Sequence, residues 1–291
     1  LANDLLGFHI GDHCNNFLET VARANLGRVN FEYNMVSHGD DLTLVRPFPI
    51  SVDFEQINSD AQRAEVDDAI QRFTQEWNLQ GKLVGLGIDR IDYTKGIPHR
   101  FRAMGRFFEK YPEYIGKVVF VQAGVMSRTN IEAYQQLSEQ MESLLEEING
   151  RFGKDGWQPI IYMPTDLPDL TLMALRRMAR FCVVSSLHDG MNLVAKEYVA
   201  SRFDEDGVLI LSPFTGAALE LTDALIVNPY AIEQFADAIH QAVEMPREER
   251  RSRMIQMREI VRENNIYKWA ALMVEDLMQG ARRSRRPVRT R

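Results

Sequence analysis

From residue 81 onward, short apolar runs alternate with longer amphipathic segments. The runs have the length and composition of strands buried on both faces, and the segments between them repeat apolar residues every three or four positions, as helices do. The predicted strands are KLVGLGI, KVVFVQAGV, PIIYMP, FCVVSS, GVLILS and ALIVNP. Strands that alternate with helices predict βαβ units and a parallel, doubly wound sheet that binds ligands at the carboxyl ends of its strands.

The chain before this point has a different pattern. Residues 3–58 alternate short extended segments with one amphipathic stretch, NNFLETVARANLG, and continue into a proline-containing connector. Apolar residues at spacings of three and four then predict a helix from Asp60 to Leu79. Two further helices close the chain, and the second is predicted to break at Asn264 and Asn265.

Composition narrows the class of protein. With 291 residues, 45% of them hydrophobic and 26% charged, the chain can bury a substantial core, which excludes a disordered or fibrous protein. The net charge of -7 gives no cationic field for nucleic acid, and no apolar run has the length of a membrane helix. Six of the last ten residues are Arg, so we expect a basic disordered tail over 281–291.

The cysteines indicate the cellular setting. Cys14 and Cys182 lie far apart, with no CxxC or Cys/His spacing around them. Neither a disulfide framework nor a zinc site is predicted, and a reducing, cytoplasmic setting fits best.

The loop GIDRIDYTKG places two cations, Arg90 and Lys95, directly after a predicted buried strand. Arg offers a bidentate fork for phosphate oxygens and Lys a compact charge, so together they could bind a diphosphate and stabilise it as a leaving group. The alternative from the loop alone is a solvated turn whose cations pair with Asp89 and Asp92.

A second loop, SSLHDGMNLVAKEYVA, follows a later strand and opens a helix. The backbone amides of Gly190, Met191 and Asn192 would lie at the positive helix N-terminus, which favours anions. Asp189 could accept hydrogen bonds from sugar hydroxyls, or could be an ordinary N-cap. Glu197 could hold a ribose diol, or could be a surface helix residue.

Taken together, GIDRIDYTKG followed at long range by DGMNLVAKE resembles the trehalose-6-phosphate synthase family, the retaining glycosyltransferases of family 20. The resemblance runs from LLGFHIGDHCNNFLE to about Gly280 and includes VRPFPISVDF, FVQAGVMSR and LSPFTGAALEL. It implies an α/β protein with the GT-B fold. Residues 1–78 would be the tail of the acceptor-side Rossmann-like domain, and residues 79–280 a nucleotide-sugar-binding Rossmann-like domain.

The resemblance also implies roles for individual residues. Arg90 and Lys95 would grip the donor diphosphate and stabilise the leaving-group charge, and Arg128 would help bind the phosphate of the acceptor. The donor-binding turn would consist of Asp189, Gly190, Met191, Asn192, Leu193 and Val194, with Glu197 on the nucleotide ribose. Of these, Arg90, Lys95 and Asp189 would be the catalytic residues.

The implied reaction moves glucose from UDP-glucose to glucose 6-phosphate with retention, giving trehalose 6-phosphate and UDP. The resemblance implies no protein nucleophile and no metal or other cofactor. The partners would be small molecules, with no nucleic acid and no membrane, and a homo-oligomer is left open. The alternatives are a glucosyltransferase acting on another phosphorylated polyol, such as glycerol 3-phosphate, and a non-catalytic regulatory relative that binds sugar nucleotides. A dehydrogenase is disfavoured because GLGID lacks the third glycine of GxGxxG.

The chain begins at Leu1 with a strand-like segment. Because the family's acceptor contacts lie in an N-terminal half that would precede this point, we expect a part of a longer enzyme. We further expect it to bind UDP or UDP-glucose with little or no turnover.

Overall fold

The computed structural model describes residue 1, residues 3–125 and residues 131–284. Its contacts divide the chain into two compact units. One consists of Leu1–Asp53 with Glu263–Arg291, and the other of Phe54–Arg262.

The first unit is built around a four-stranded sheet in the order β1-β4-β3-β2. Strand β1 runs parallel to β4, whereas β3 is antiparallel to both β4 and β2. Its elements are β1 Leu5–Phe8, α1 Gly11–Arg23, β2 Arg28–Asn30, β3 Met35–His38, β4 Asp41–Pro47 and α10 Ile266–Ser284.

The core of this unit forms where the apolar face of α1 covers the sheet. Cys14, Leu18 and Val21 recur at helical spacing and pack with Val36 of β3 and Val45 of β4. The predicted amphipathic stretch is therefore a helix, and it is anchored by the residues that its periodicity placed on one face.

The second unit holds a six-stranded parallel sheet in the order β10-β9-β8-β5-β6-β7. Its elements are α2 Phe54–Asp60, α3 Ala64–Glu76, β5 Leu83–Ile88, α4 Ile97–Lys110, β6 Val118–Ala123, α5 Glu132–Phe152, β7 Ile160–Met163, α6 Asp169–Met178, β8 Phe181–Val184, α7 Leu193–Ser201, β9 Val208–Leu211, β10 Leu225–Ile226, α8 Ile232–Glu244 and α9 Arg247–Glu263.

The strand order explains where a site can form. The chain starts in the middle of the sheet at β5, builds β6 and β7 to one side, and then crosses to β8 on the other side. The order of strands therefore reverses between β5 and β8, and their carboxyl ends bound the crevice in which doubly wound sheets bind ligands. Every residue of β6, β8 and β9 is buried, as the apolar runs predict, and Gln122 of β6 is the one polar residue among them.

Some helix boundaries differ from the sequence predictions. The helix predicted over Asp60–Leu79 is the shorter α3, and α2 lies over the end of the segment predicted to be an extended connector. Both helices belong to the second unit, and the contact division falls after Asp53. The predicted break is present, since α9 ends at Glu263 and α10 begins at Ile266. Helix α10 continues to Ser284, past the predicted start of the basic tail, and 285–291 lie outside the described residues. Within the part described, no helix is both long and apolar enough to span a membrane.

Candidate active site

The loop after β5 is a folded structure rather than a solvated turn. A short 3-10 helix, Tyr93–Lys95, is capped by Asp92, whose Oδ1 accepts hydrogen bonds from the amide of Thr94 at 2.9 Å and from its hydroxyl at 2.8 Å. The Tyr134 hydroxyl donates to the other oxygen of Asp92 at 3.0 Å. Asp92 is thus committed to holding the loop in shape.

Gly96 ends this loop and lets it approach β8. Its φ of 64° lies in the left-handed region, and a Cβ there would be 2.2 Å from the carbonyl oxygen of Ser185. The amide of Leu187 also donates to the Thr94 carbonyl at 2.6 Å. The loops after β5 and β8 are therefore in direct backbone contact at the point where the strand order reverses.

The two cations of the first loop have different surroundings. Lys95 Nζ donates to Asp189 Oδ2 at 2.6 Å, and each side chain is only 16% exposed. Arg90 is exposed and makes no ion pair with any residue that the structure describes. The alternative in which these cations pair with Asp89 and Asp92 is wrong for Lys95, whose partner comes from a loop 94 residues away.

The Asp189 carboxylate is held at several points. Besides Lys95, its Oδ2 accepts from Asn192 Nδ2 at 3.1 Å and from the Ser186 hydroxyl at 3.4 Å, while Oδ1 accepts a long contact from the Met191 amide at 3.4 Å. Burial favours the protonated form, but the Lys95 ammonium and these hydrogen bonds outweigh it and lower the pKa of Asp189 below its ordinary value. The carboxylate is charged, and Oδ1 retains capacity for a hydroxyl donor.

Asn192, not Asp189, is the N-cap of α7. It has a φ of 80°, and its Oδ1 accepts from the Ala195 amide at 3.1 Å. The amides of Leu193 and Val194 lie in the first turn of this helix, where no intrahelical acceptor exists. The predicted turn therefore forms an N-terminus with positive potential directly beside the Lys95–Asp189 pair.

The loop after β8 also rests on the segment that follows β9. Asp189 forms an isolated parallel bridge with Thr215, its amide donates to the Phe214 carbonyl at 3.0 Å, and its own carbonyl accepts from Gly216 at 3.0 Å. The Met191 carbonyl accepts from Ala217 at 2.8 Å. The motif LSPFTGAALEL thus holds the backbone of Asp189 and Met191 in place through hydrogen bonds. The sequence alone does not reveal this role.

Glu197, one turn into α7, has a partner that the sequence reading missed. Arg176 of α6 donates from Nη2 to Glu197 Oε2, and the two side chains are 10% and 28% exposed. Glu197 is therefore not a free surface carboxylate. Its Oε1 can still accept a hydrogen bond, because the contact with Arg176 uses Oε2. Arg176 gave no signal in the sequence, where it reads as one of three arginines at the end of an amphipathic helix.

Three further predictions concern the acceptor phosphate, a metal site and the cysteines. Arg128 lies outside the described residues, so its predicted role stays a prediction. No group of three or more His, Cys, Asp and Glu side chains in the described ranges could hold a metal ion. Cys14 and Cys182 are free and buried.

The arrangement suits an anionic ligand with hydroxyl groups. Lys95, the exposed Arg90 and the N-terminus of α7 give positive potential at one edge of the sheet, while Asp189 and Glu197 supply acceptors for hydroxyls. Such a set of donors and acceptors matches a nucleotide sugar, whose diphosphate lies between two sugar rings.

Comparison with known proteins agrees with this reading. The model of glycosyltransferase family 20 matches residues 1–279. The chain belongs to glycosyltransferase family 20. The family predicted from the motifs is therefore confirmed.

Curated relatives of this family 20 chain carry synthase names. A trehalose-6-phosphate synthase of Enterobacter sp. (strain 638) is 39% identical over 97% of this chain and 59% of its own length. The α,α-trehalose-phosphate synthase (UDP-forming) A of Dictyostelium discoideum is 36% identical over 94% of this chain and 37% of its own length. The chain thus spans less than two thirds of these relatives.

Solved structures confirm the predicted α/β fold of GT-B type. The α,α-trehalose-phosphate synthase (UDP-forming) of Burkholderia vietnamiensis superposes with a TM-score of 0.89 at 35% identity, covering 96% of this chain and 60% of its own. A Burkholderia xenovorans synthase in complex with glucose-6-phosphate gives 0.89 at 35% identity, covering 94% and 61%. An E. coli structure bound with UDP-2-fluoro glucose gives 0.88 at 36% identity, covering 95% and 61%.

Proposed function

We propose that this chain is the donor-binding part of a retaining glucosyltransferase that moves glucose from UDP-glucose to glucose 6-phosphate, forming trehalose 6-phosphate and UDP. The observation that carries the proposal is the contact between Lys95 and Asp189 across 94 residues at the reversal point of the sheet. It joins the two motifs on which the resemblance rests. The named relatives and the two ligand-bound structures support the substrates.

In this proposal, the donor lies along the edge of the sheet with its diphosphate between the two loops. Arg90 and Lys95 bind the diphosphate oxygens, together with the first amides of α7. Lys95 can do so while paired, because an ammonium group has three donors and the described residues show one directed at Asp189. Asp189 Oδ1, with Gly190, Met191 and Asn192, contacts the glucose, and Glu197 Oε1 accepts from the ribose diol.

The chemical step then depends on charge stabilisation and positioning. As the bond from the glucose carbon to the diphosphate oxygen lengthens, negative charge grows on the departing UDP, where the two cations and the helix N-terminus are placed. The acceptor hydroxyl attacks from the same face, its proton passes to the leaving phosphate, and the configuration is retained without a protein nucleophile. We propose that no metal is needed because these positive groups supply the stabilisation.

Further features belong to the same proposal. Residues 79–280 are proposed as the nucleotide-sugar-binding domain and residues 1–78 as part of the acceptor side, with Arg128 on the acceptor phosphate. Two free, buried cysteines support a reducing, cytoplasmic setting. The partners are proposed to be these small molecules alone.

The test is a calorimetric titration of UDP and of ADP into the chain and into Arg90→Ala. We expect UDP to bind in preference to ADP, and at least about tenfold more weakly to Arg90→Ala, because one charge-assisted contact of about 1.5–3 kcal/mol is lost. Arg72→Ala, which removes an exposed arginine of α3, is the control and should leave UDP affinity unchanged. Folded protein that binds no UDP would contradict the proposal.

A further inference from the structure

A fully buried arginine lies beneath the candidate site. Arg100, in the first turn of α4, has no exposed surface, although charged side chains are almost never completely buried unless they are paired. In the sequence it is one of several polar residues in HRFRAMGRFFEK, and nothing there distinguishes it from Arg102 and Arg106 of the same helix.

The guanidinium of Arg100 contacts three strands at or near their carboxyl ends. Nη1 donates to Asp89 Oδ2, just after β5, at 2.8 Å and to Gln122 Oε1 of β6 at 2.7 Å. Nε donates to the Ser185 hydroxyl, just after β8, at 3.1 Å. That hydroxyl oxygen lies 3.2 Å from the carbonyl oxygens of both Lys95 and Gly96.

Strand β5 makes room for this group. A Cβ at Gly87 would lie 2.2 Å from Arg100 Nη1 and 2.5 Å from Gln122 Oε1. No side chain larger than hydrogen fits at that position while the guanidinium is in place. The sheet is therefore built around the arginine where β5 and β6 lie side by side.

Such an arrangement fixes the relative positions of the surrounding groups more than it stabilises the fold. A buried ion pair recovers its desolvation cost only in part, and apolar side chains of similar volume often serve stability as well or better. A planar guanidinium with fixed donor directions does something that apolar packing cannot, because it sets the relative positions of its acceptors. Two of those acceptors, Asp89 and Ser185, lie at the start of the loops that carry Lys95 and Asp189.

We propose that Arg100 is a positioning residue that holds the loop carrying Arg90 and Lys95 in register with the loop carrying Asp189, so that both face one ligand. The inference rests on the proposed function only in naming UDP as the ligand. The loop geometry itself does not depend on it.

The test uses a double variant, Arg100→Met with Asp89→Asn. The single change would leave a buried, unpaired Asp89 carboxylate, whereas the double change removes both charges and keeps similar volumes. The matched control is Arg258→Met, since Arg258 is also buried and its Nη1 donates to the carbonyls of Val199 and Ala200 at the opposite end of α7. Arg100→Lys keeps the charge but loses the fork.

Two readouts separate the inference from the proposed function. Hydrogen exchange without nucleotide follows the peptides covering residues 89–96 and 185–192, and UDP titration follows affinity. We expect exchange in those two peptides to rise at least about tenfold in the double variant, with UDP affinity at least about tenfold weaker and Arg100→Lys intermediate. Arg258→Met should change neither quantity selectively.

The outcomes lead to distinct conclusions. A folded double variant with unchanged exchange in both peptides overturns the inference. Faster exchange there, in a chain whose wild type binds no UDP, supports the positioning role and rejects the proposed ligand. If the double variant does not fold, Arg100→Lys decides: exchange raised only in the two peptides supports the inference, and exchange raised uniformly overturns it.

Discussion

The pair of Lys95 and Asp189 shows how a single contact links stability to the site. The pKa of Asp189 is lowered in the folded chain, so the charged carboxylate stabilises the fold above its unfolded pKa of about 4, and this contribution is lost as pH falls through the lower folded value. Each side chain is 16% exposed, which limits screening by solvent.

We therefore expect Asp189→Asn to lower the free energy of unfolding by about 1–3 kcal/mol at neutral pH and by less at about pH 3, which lies below the unfolded pKa. Urea unfolding at both pH values measures the difference. Adding Lys95→Met to Asp189→Asn should cost little more, because its partner is already gone. An equal loss at both pH values would show that the ion pair is not its cause.

Arg176 gives the second prediction at the scale of single residues. It fixes Oε2 of Glu197, so the carboxylate keeps one orientation with Oε1 free. Arg176→Leu should weaken UDP binding by about tenfold, while binding of inorganic pyrophosphate, which has no ribose, stays unchanged.

The neighbouring Arg177 provides the control for this measurement. It contacts Asp67 at 3.0 Å and the Ala61 carbonyl at 2.6 Å, away from Glu197. Arg177→Leu should cost stability but not UDP affinity. If Arg176→Leu weakened UDP and pyrophosphate equally, Arg176 would act on the phosphates and not through the ribose carboxylate.

At the scale of elements, the sequence predicts the sheet well and the site only in part. Buried parallel strands can be predicted because every position is apolar, as in β8 and β9. The short helix α2 could not be predicted in this way, because its residues follow a proline-containing segment that has the pattern of an extended connector.

The parts of the site that escaped prediction all depend on contacts between distant segments. Lys95 and Asp189 were each singled out, but their pairing requires the strand order, which places β5 beside β8. Arg100 and Arg176 look like ordinary helix residues until the sheet is assembled. The local sequence pattern indicates which residues are buried and which cap a helix. It does not indicate which loops come into contact.

Gly96 allows a prediction about the connection from β5 to α4. Gly96→Ala adds a methyl group where the Ser185 carbonyl oxygen would be only 2.2 Å away, and it does so at a φ of 64°. Gly116, between α4 and β6, has a φ of 83° with open space around its Cβ position. Gly116→Ala should therefore cost only the backbone strain of about 1–2 kcal/mol, and Gly96→Ala about 1–3 kcal/mol more.

Thermal or chemical unfolding of the two glycine variants checks this expectation. Because both positions carry the left-handed backbone, their difference isolates the close approach of the two loops. Equal losses would mean that the loop after β8 can move away freely, in which case Gly96→Ala should leave UDP binding intact as well.

At the scale of the whole molecule, the net charge opposes the binding of an anionic ligand. The chain carries a net charge of -7, so the proposed anionic donor would be attracted by local groups, and among the described residues we assign this role to Arg90, Lys95 and the N-terminus of α7. Opposing long-range and local fields make UDP binding sensitive to salt, and the attraction should weaken as the Debye length falls below about 10 Å.

The last prediction concerns turnover by these 291 residues alone. They contain both loops that we propose to bind the donor, yet they span 59% of the Enterobacter synthase and 60% of the solved Burkholderia vietnamiensis chain. Catalysis by positioning requires the acceptor to be held within reach of the donor carbon, which can contribute about 7–11 kcal/mol to lowering the barrier. Without the remaining contacts of the relatives, we expect UDP and UDP-glucose to bind while UDP release from UDP-glucose and glucose 6-phosphate stays near background. A coupled assay of UDP release, run beside a full-length synthase, measures this, and a rate equal to that of the intact enzyme would mean that the chain holds the acceptor by itself.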